Sequence, residues 1–310
     1  MSSLAMIVAL GAAGCSAEFT PATLVDEARV LGAEVLVVGD PLRTNPRPGE
    51  AADVRFEVVF AGAEQPLSWA FIACVPEPTQ FGEPRCAAGT TAPSLQLEPA
   101  FGAPGLRVDV PDEATLAGAR SMLVLGAICA EGPVNLDREA LRACADEAGV
   151  GSVVALELRL DRDGQANAAP HFATLELDGV SLEYVPPADA AATGCSGGDA
   201  PAIPWQEDVL ELKLTAAPGS RETFSALRGV PPAPTQRTED LQVSLLTTAG
   251  SFERLFDFFD DRNAEVAQDW TPPALDDVAV DGTLVRFTFT LRDGRGGFDA
   301  ATRAICLLPP

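Results

Sequence analysis

Histidine, lysine and tyrosine are almost absent: the 310-residue chain has one of each, His171, Lys213 and Tyr184. General-base chemistry other than that of carboxylates therefore has little to draw on. No Cys-x-x-Cys pair occurs and His171 is the only histidine, so a zinc site lacks its usual ligands. The His-Glu-x-x-His and phosphate-loop motifs are missing as well. Basic side chains are few, 21 Lys and Arg against 45 Asp and Glu. The net charge of −24 excludes a nucleic-acid partner, whose phosphates need Lys and Arg clusters, and argues against charge-driven adhesion to an anionic membrane. No apolar run approaches the ~20 residues that span a bilayer. No catalytic, cofactor or metal site is expected, although Asp and Glu are abundant enough to supply a carboxylate pair for glycan hydrolysis.

What is present begins at the N terminus. Met1–Gly14 carries no charged side chain, and its apolar run ends in Gly11, Ala12, Ala13 and Gly14, the shape of a secretory signal. Ala12-Ala13-Gly14-Cys15 resembles a bacterial lipobox, with Ala12 where that family usually has leucine. The resemblance implies cleavage before Cys15, a diacylglycerol on its thiol, and attachment to a membrane through that lipid. Ser16 after the cysteine implies the outer membrane, since the inner-membrane retention signal of that family is aspartate there. The polar stretch from Ser16 to Asp26 has the composition of a tether.

Cys15 apart, six cysteines remain: Cys74, Cys86, Cys129, Cys144, Cys195 and Cys306. An even number behind an export signal reads as disulfides. Chain neighbours suggest Cys74–Cys86 and Cys129–Cys144, leaving Cys195–Cys306 to staple a long insertion to the end of the chain.

The length suggests two domains at ~150 residues each, and an apolar fraction of 47% supplies packed cores. The dominant period is two. Val54, Phe56 and Val58 alternate with polar residues, with Val59 breaking the rule. Leu106, Val108 and Val110 do the same. So do Val154, Leu156, Leu158 and Leu160, then Leu210, Leu212 and Leu214, then Val285, Phe287, Phe289 and Leu291. Such alternation marks strands with one face in a core. Turn clusters such as "NPRPGE" and "RDGRGG" between them indicate sandwiches. One helix is expected, over Leu136–Ala148, with Asp137 to cap it and Gly149 to stop it. An alternating strand running into Arg-Asp-Gly occurs twice, at Arg162–Gly164 and Arg292–Gly294, and reads as a weak internal repeat. "GQANAAP" between them has linker composition.

Two stretches then resemble bacterial Ig-like, PKD-like domains of surface lipoproteins. One is "ARVLGAEV…RPGEAADVRFEVVF…LSWAFIAC", the other "TEDLQVSLLTTAGSFER…DWTPP…GTLVRFTFTLRDGRGGFDAATRAICL". The resemblance implies an all-β chain: a lipoprotein signal peptide at 1–14, a tether at 15–26, and Ig-like β-sandwich domains at 27–166 and 167–310. Trp69 would be a core tryptophan beside Cys74. The implied role is structural, adhesive or partner-binding in the cell envelope, toward an envelope protein or glycan. The alternatives are a carboxylate-dependent glycan hydrolase or an accessory subunit of an envelope complex.

Three further segments are weighed. "GCSGG" at Gly194–Gly198 resembles a papain-type glycine-rich segment, but no histidine follows it to act as base. "DRDGQAN" at Asp161–Asn167 has oxygen side chains at alternate positions, as calcium loops do, and "DFFDDRN" at Asp257–Asn263 is the other acidic turn considered for calcium. The first departs from an EF-hand in its glycine position and its missing final glutamate. The long segments at 75–100, 180–207 and 252–270 are expected to be binding loops.

Overall fold

The computed structural model describes residues 21–77, 85–87, 93–136, 142–146, 149–184, 195, 200–228 and 232–310. The signal peptide, Cys15, the tether as far as Thr20 and all of "GCSGG" except Cys195 lie outside these residues.

The chain is all-β, and its strands form two sandwiches. In the first, β1 (Arg29–Val37), β2 (Ala51–Val59) and β5 (Gly105–Asp109) make one sheet in the order β1-β2-β5. β3 (Leu67–Cys74), β4 (Ser94–Ala100), β6 (Ser121–Ala130) and β7 (Val150–Arg159) make the facing sheet in the order β4-β3-β6-β7. Every pairing is antiparallel.

The second sandwich repeats this wiring. β8 (Phe172–Leu177), β11 (Leu210–Ala216) and β17 (Glu265–Thr271) stand where β1, β2 and β5 do. β14 (Leu241–Thr247), β16 (Phe256–Phe259), β18 (Thr283–Arg292) and β19 (Phe298–Leu308) stand where β3, β4, β6 and β7 do. Short strands are added at the edges: β9 (Val180–Ser181), β15 (Ser251–Phe252) and β10 (Ala202–Pro204), the last parallel to β19. β12 (Thr223–Arg228) and β13 (Ala233–Thr238) form a separate hairpin. This is the Ig-type arrangement, in which two antiparallel sheets enclose the inward residues of both.

The repeat is thus in topology and does not lie where the Arg-Asp-Gly turns suggest. Arg162–Gly164 follows the seventh strand of its sandwich, whereas Arg292–Gly294 follows the sixth. The expected helix at 136–148 also needs correction. Arg142–Asp146 carries no helix, and Cys144 instead bridges Val134 in antiparallel fashion. Among the described residues the α-helix is a single turn, Glu113–Leu116, capped by Asp112, whose carboxylate accepts Thr115 N.

Each sandwich has its own core. The first draws on residues from Ala33 to Leu160, with Phe56 stacked on Phe71 at 4.8 Å between centroids. The second runs from Leu175 to Leu307 and centres on Trp270, edge-on to Phe287 at 5.2 Å. Burying one such aromatic contributes about 1.5–3 kcal/mol. The tryptophan at the heart of a core is therefore Trp270, fully buried on β17. Trp69 is only half-buried, at the margin of the first core.

Candidate functional site

Among the described residues, a dense polar network holds the segment joining the two sandwiches. Between the end of β7 and the start of β8 the chain is pinned, residue by residue, to the turn Arg43–Glu50 on one side and to the turn after β18 on the other. Asn167 is 1% exposed and sits at the centre. Its Nδ2 donates to Thr44 Oγ1 at 2.9 Å and to Asp293 Oδ2 at 2.7 Å. Its backbone N donates to Asn45 Oδ1, and its carbonyl accepts from Thr44 N. Asn45 Nδ2 in turn donates to the Gln165 carbonyl.

Arg295 extends the network toward the β12–β13 hairpin. Its guanidinium pairs with Glu239 Oε1 at 2.7 Å and Glu222 Oε2 at 3.3 Å, donates to the Ala166 carbonyl, and lies over the Phe224 ring. Burial pushes the Glu239 carboxyl above its ordinary range, against the pull of Glu222 N and Arg295. Asp293 Oδ1 accepts from Arg295 N and Gly297 N, closing the turn. Buried charges held this way are costly to leave half-made, at about 3–5 kcal/mol when one partner is removed. The junction is therefore a rigid joint. "GQANAAP" is rich in small and polar residues because they must fit against two turns and satisfy them.

The oxygens of Asp161–Asn167 diverge: Asp161 pairs with Arg47 at 3.0 Å, Asp163 with Arg120 at 3.1 Å, and Asn167 turns to Asp293. In Asp257–Asn263, Asp257 accepts Gln268 Nε2, and Asp261 pairs with Arg221. Asp260 caps its own turn through Arg262 N and Asn263 N, which holds its carboxyl below the usual range. Among the described residues no group of three or more His, Cys, Asp or Glu is arranged to hold a metal. Phe259 belongs to the core, while Phe258 is exposed.

A second feature lies on the flank of the joint. Glu34 on β1, Glu57 on β2 and Asp299 on β19 line a cleft of about 260 Å³ between the sandwiches, with Arg55 and Phe298. Desolvation, and then repulsion from Glu34 and Asp299, raises the Glu57 carboxyl above its ordinary value. Asp299 is also engaged by Phe172 N and faces His171 Nδ1 at 3.5 Å. Sequence reasoning missed this group because its members are far apart in the chain. Alternation on β1 and β2 marks Glu34 and Glu57 as outward, which is the one available signal.

All six cysteines after Cys15 pair, as Cys74–Cys86, Cys129–Cys144 and Cys195–Cys306, the pairs that chain order suggests. The third ties the 180–207 insertion to β19, so Cys195 is no nucleophile. The residues Gly194–Gly198 also spell Gly-x-Ser-x-Gly, the elbow spacing of serine hydrolases. Ser196 of that spacing lies outside the described residues.

The expected binding loops are partly strands. The 252–270 segment contains β16 and most of β17, and 75–100 contains β4. β4 and β16 occupy the same outer position in the two sandwiches, and both expose apolar side chains: Leu95, Leu97 and nearby Phe101 at the first, Leu255, Phe256 and Phe258 at the second. The chain matches no family model and no curated protein. Among solved structures, red sea bream transglutaminase aligns over 91% of this chain and 31% of its own, at 11% identity and a TM-score of 0.23. The chain thus spans about a third of that protein's length, and a likeness so slight carries no argument.

Proposed function

We propose that this chain is an exported envelope lipoprotein, anchored through Cys15, that acts as a structural, adhesive or partner-binding protein without a catalytic centre. Three disulfides support export, because such bonds persist in oxidising compartments. The observation that carries the binding role is the pair of apolar outer strands, β4 and β16. Exposed strand edges are templates for pairing, and soluble proteins usually blunt them with charge or proline. Both edges keep part of that blunting, Asp257 on β16 and Glu98 and Pro99 on β4, yet Phe256 is 50% exposed and packs edge-to-face on Phe258. Replacing Phe256 and Phe258 by serine lowers recovery of crosslinked envelope partners and leaves the melting temperature nearly unchanged. Equal recovery from both chains removes the support for a binding edge.

The acidic cleft favours a second reading, a carboxylate-dependent hydrolase with Glu57 as proton donor, since a carboxyl raised by burial beside other carboxyl groups is what such a role needs. Against it, Asp299 is committed to Phe172 N, and the cleft has room for about one sugar ring. Incubating the purified chain with cell-wall glycans decides between the two. Turnover that disappears in Glu57→Gln makes the protein an enzyme.

A further inference from the structure

β16 is the last strand of its sheet, and among the described residues no strand pairs with its other side. Leu245 N donates to the Leu255 carbonyl at 2.9 Å, and facing residues of an antiparallel pair alternate between bonded and unbonded. The ladder to β14 therefore uses the backbones of Leu255, Asp257 and Phe259, and those of Phe256 and Phe258 point to the open side. The side chains of Phe256 and Phe258 share the face away from the core. They are 50% and 40% exposed and meet edge-to-face with centroids 6.0 Å apart. β4, which holds the same position in the first sandwich, contains Pro99 and so lacks one N–H to offer. β16 contains no proline.

The stretch "RLFDFFD" (Arg254–Asp260) is complementary to itself when laid antiparallel on a second copy. A register centred on Phe256 sets Phe258 against Arg254 of the other copy. One centred on Phe258 sets Phe256 against Asp260. Only the register centred on Asp257 places each of the two phenylalanines opposite a phenylalanine, and it also sets Arg254 against Asp260. Aromatic and opposite-charge pairs facing each other across strands stabilise a sheet, and a two-fold contact of this kind closes as a dimer. Asp257 then meets its counterpart on the axis. Within one chain its Oδ2 accepts Gln268 Nε2 at 2.6 Å and lies 3.4 Å from Arg254 Nη1, and its Oδ1 accepts Phe258 N at 2.8 Å. Asp257 thus covers one open-side donor and opposes pairing by charge, which makes the contact weak and reversible.

We infer that the binding edge read above at β16 is occupied by a second copy of this chain, a step that rests on that reading. Two copies pair antiparallel through Phe256–Phe259, centred on Asp257, and Phe256 and Phe258 of both form one apolar cluster on the continuous sheet. An interface built on four residues a side is small, so the dissociation constant is expected at about 10–200 µM.

The test is sedimentation equilibrium of the purified chain, carrying Cys15→Ser so that no lipid drives association. With β16 unaltered, a reversible monomer–dimer equilibrium in that range is expected. Phe258→Pro removes an open-side N–H while the ladder to β14 stays intact, and is expected to weaken the dimer more than about tenfold. Asp257→Asn removes the like charges opposed on the axis and is expected to tighten it about three- to tenfold. Glu265→Gln, the same loss of charge on β17, is expected to leave it unchanged. A chain that stays monomeric through about 0.5 mM overturns the pairing. So does a dimer that Phe258→Pro leaves intact, or one that Asp257→Asn tightens no more than Glu265→Gln does. Should Phe258→Pro fail to fold, Asp257→Asn decides alone. The binding edge itself fails separately: a monomeric chain whose recovery of other envelope partners still falls when Phe256 and Phe258 become serine keeps the edge and loses the dimer.

Discussion

Substituting Asn167 tests whether the segment between the sandwiches is a joint or a tether. Asn167→Ala removes two side-chain hydrogen bonds in a site closed to water. The bond to Thr44 Oγ1 is neutral and contributes about 0.5–1.5 kcal/mol; the bond to Asp293 Oδ2 has a charged acceptor and contributes about 1.5–3 kcal/mol. The Asp293 oxygen is left buried without its donor, so the total should fall near 3 kcal/mol. For chains of this size each kcal/mol shifts the midpoint by about 2–4 °C, so differential scanning calorimetry should show a fall of about 6–12 °C. Asn167→Asp is more informative. It places a second carboxylate where Nδ2 now meets Asp293 at 2.7 Å. At pH 7 it should be less stable than Asn167→Ala, because two adjacent carboxylates cannot both ionise without penalty. A loss below about 0.5 kcal/mol for Asn167→Ala refutes the joint.

Glu57 gives a second pH-dependent outcome. Its folded-state carboxyl lies above the ordinary value, so the folded chain binds more protons than the unfolded one just above that value, and stability falls as pH rises through that window. Glu57→Gln should therefore stabilise the protein at pH 7–8 and lose that advantage once wild-type Glu57 is protonated; urea melts at several pH values read this directly, and a gain independent of pH contradicts it. Replacing Cys195 and Cys306 by serine should cost about 2–5 kcal/mol and release β10 from β19, detectable as faster amide exchange at Ile203; unchanged protection there argues that the staple is dispensable. Gly126→Ala should destabilise by about 1–3 kcal/mol in chemical denaturation, because a Cβ on β6 would collide with the Ala70 carbonyl oxygen and the Phe71 ring; a neutral result means that β3 and β6 can move apart freely.

The strands and the disulfides were legible in the sequence for simple reasons. Val285, Phe287, Phe289 and Leu291 alternate, and all four are fully buried. Cys74–Cys86 and Cys129–Cys144 are 12 and 15 residues apart, which favours local pairing. Alternation, however, reports only which face of a strand meets its own sheet partner. It cannot tell that the other face of β18 is covered by a second sandwich, so Arg286, Thr288 and Thr290 looked like a wet surface. Val59 was the one hint. It breaks the alternation of β2 because it turns away from its own core to pack on Val25 and Leu246 at the interface. The joint was illegible for a related reason. Small and polar residues mark a free linker and a tightly hydrogen-bonded one alike, and only the partners Thr44, Asn45 and Asp293, more than a hundred residues away, distinguish them. The acidic cleft arises from the same docking of two halves.

The central claim is that this is a lipid-anchored envelope protein, and it rests on Cys15. The direct measurement is metabolic labelling with palmitate in a Gram-negative host expressing the full chain and its Cys15→Ser variant, followed by separation of membranes. The account predicts label in the wild-type chain alone, a wild-type chain in the outer-membrane fraction, and a variant that is unlabelled and released from that membrane. Equal labelling of the two chains, or a wild-type chain that takes up no label, contradicts it.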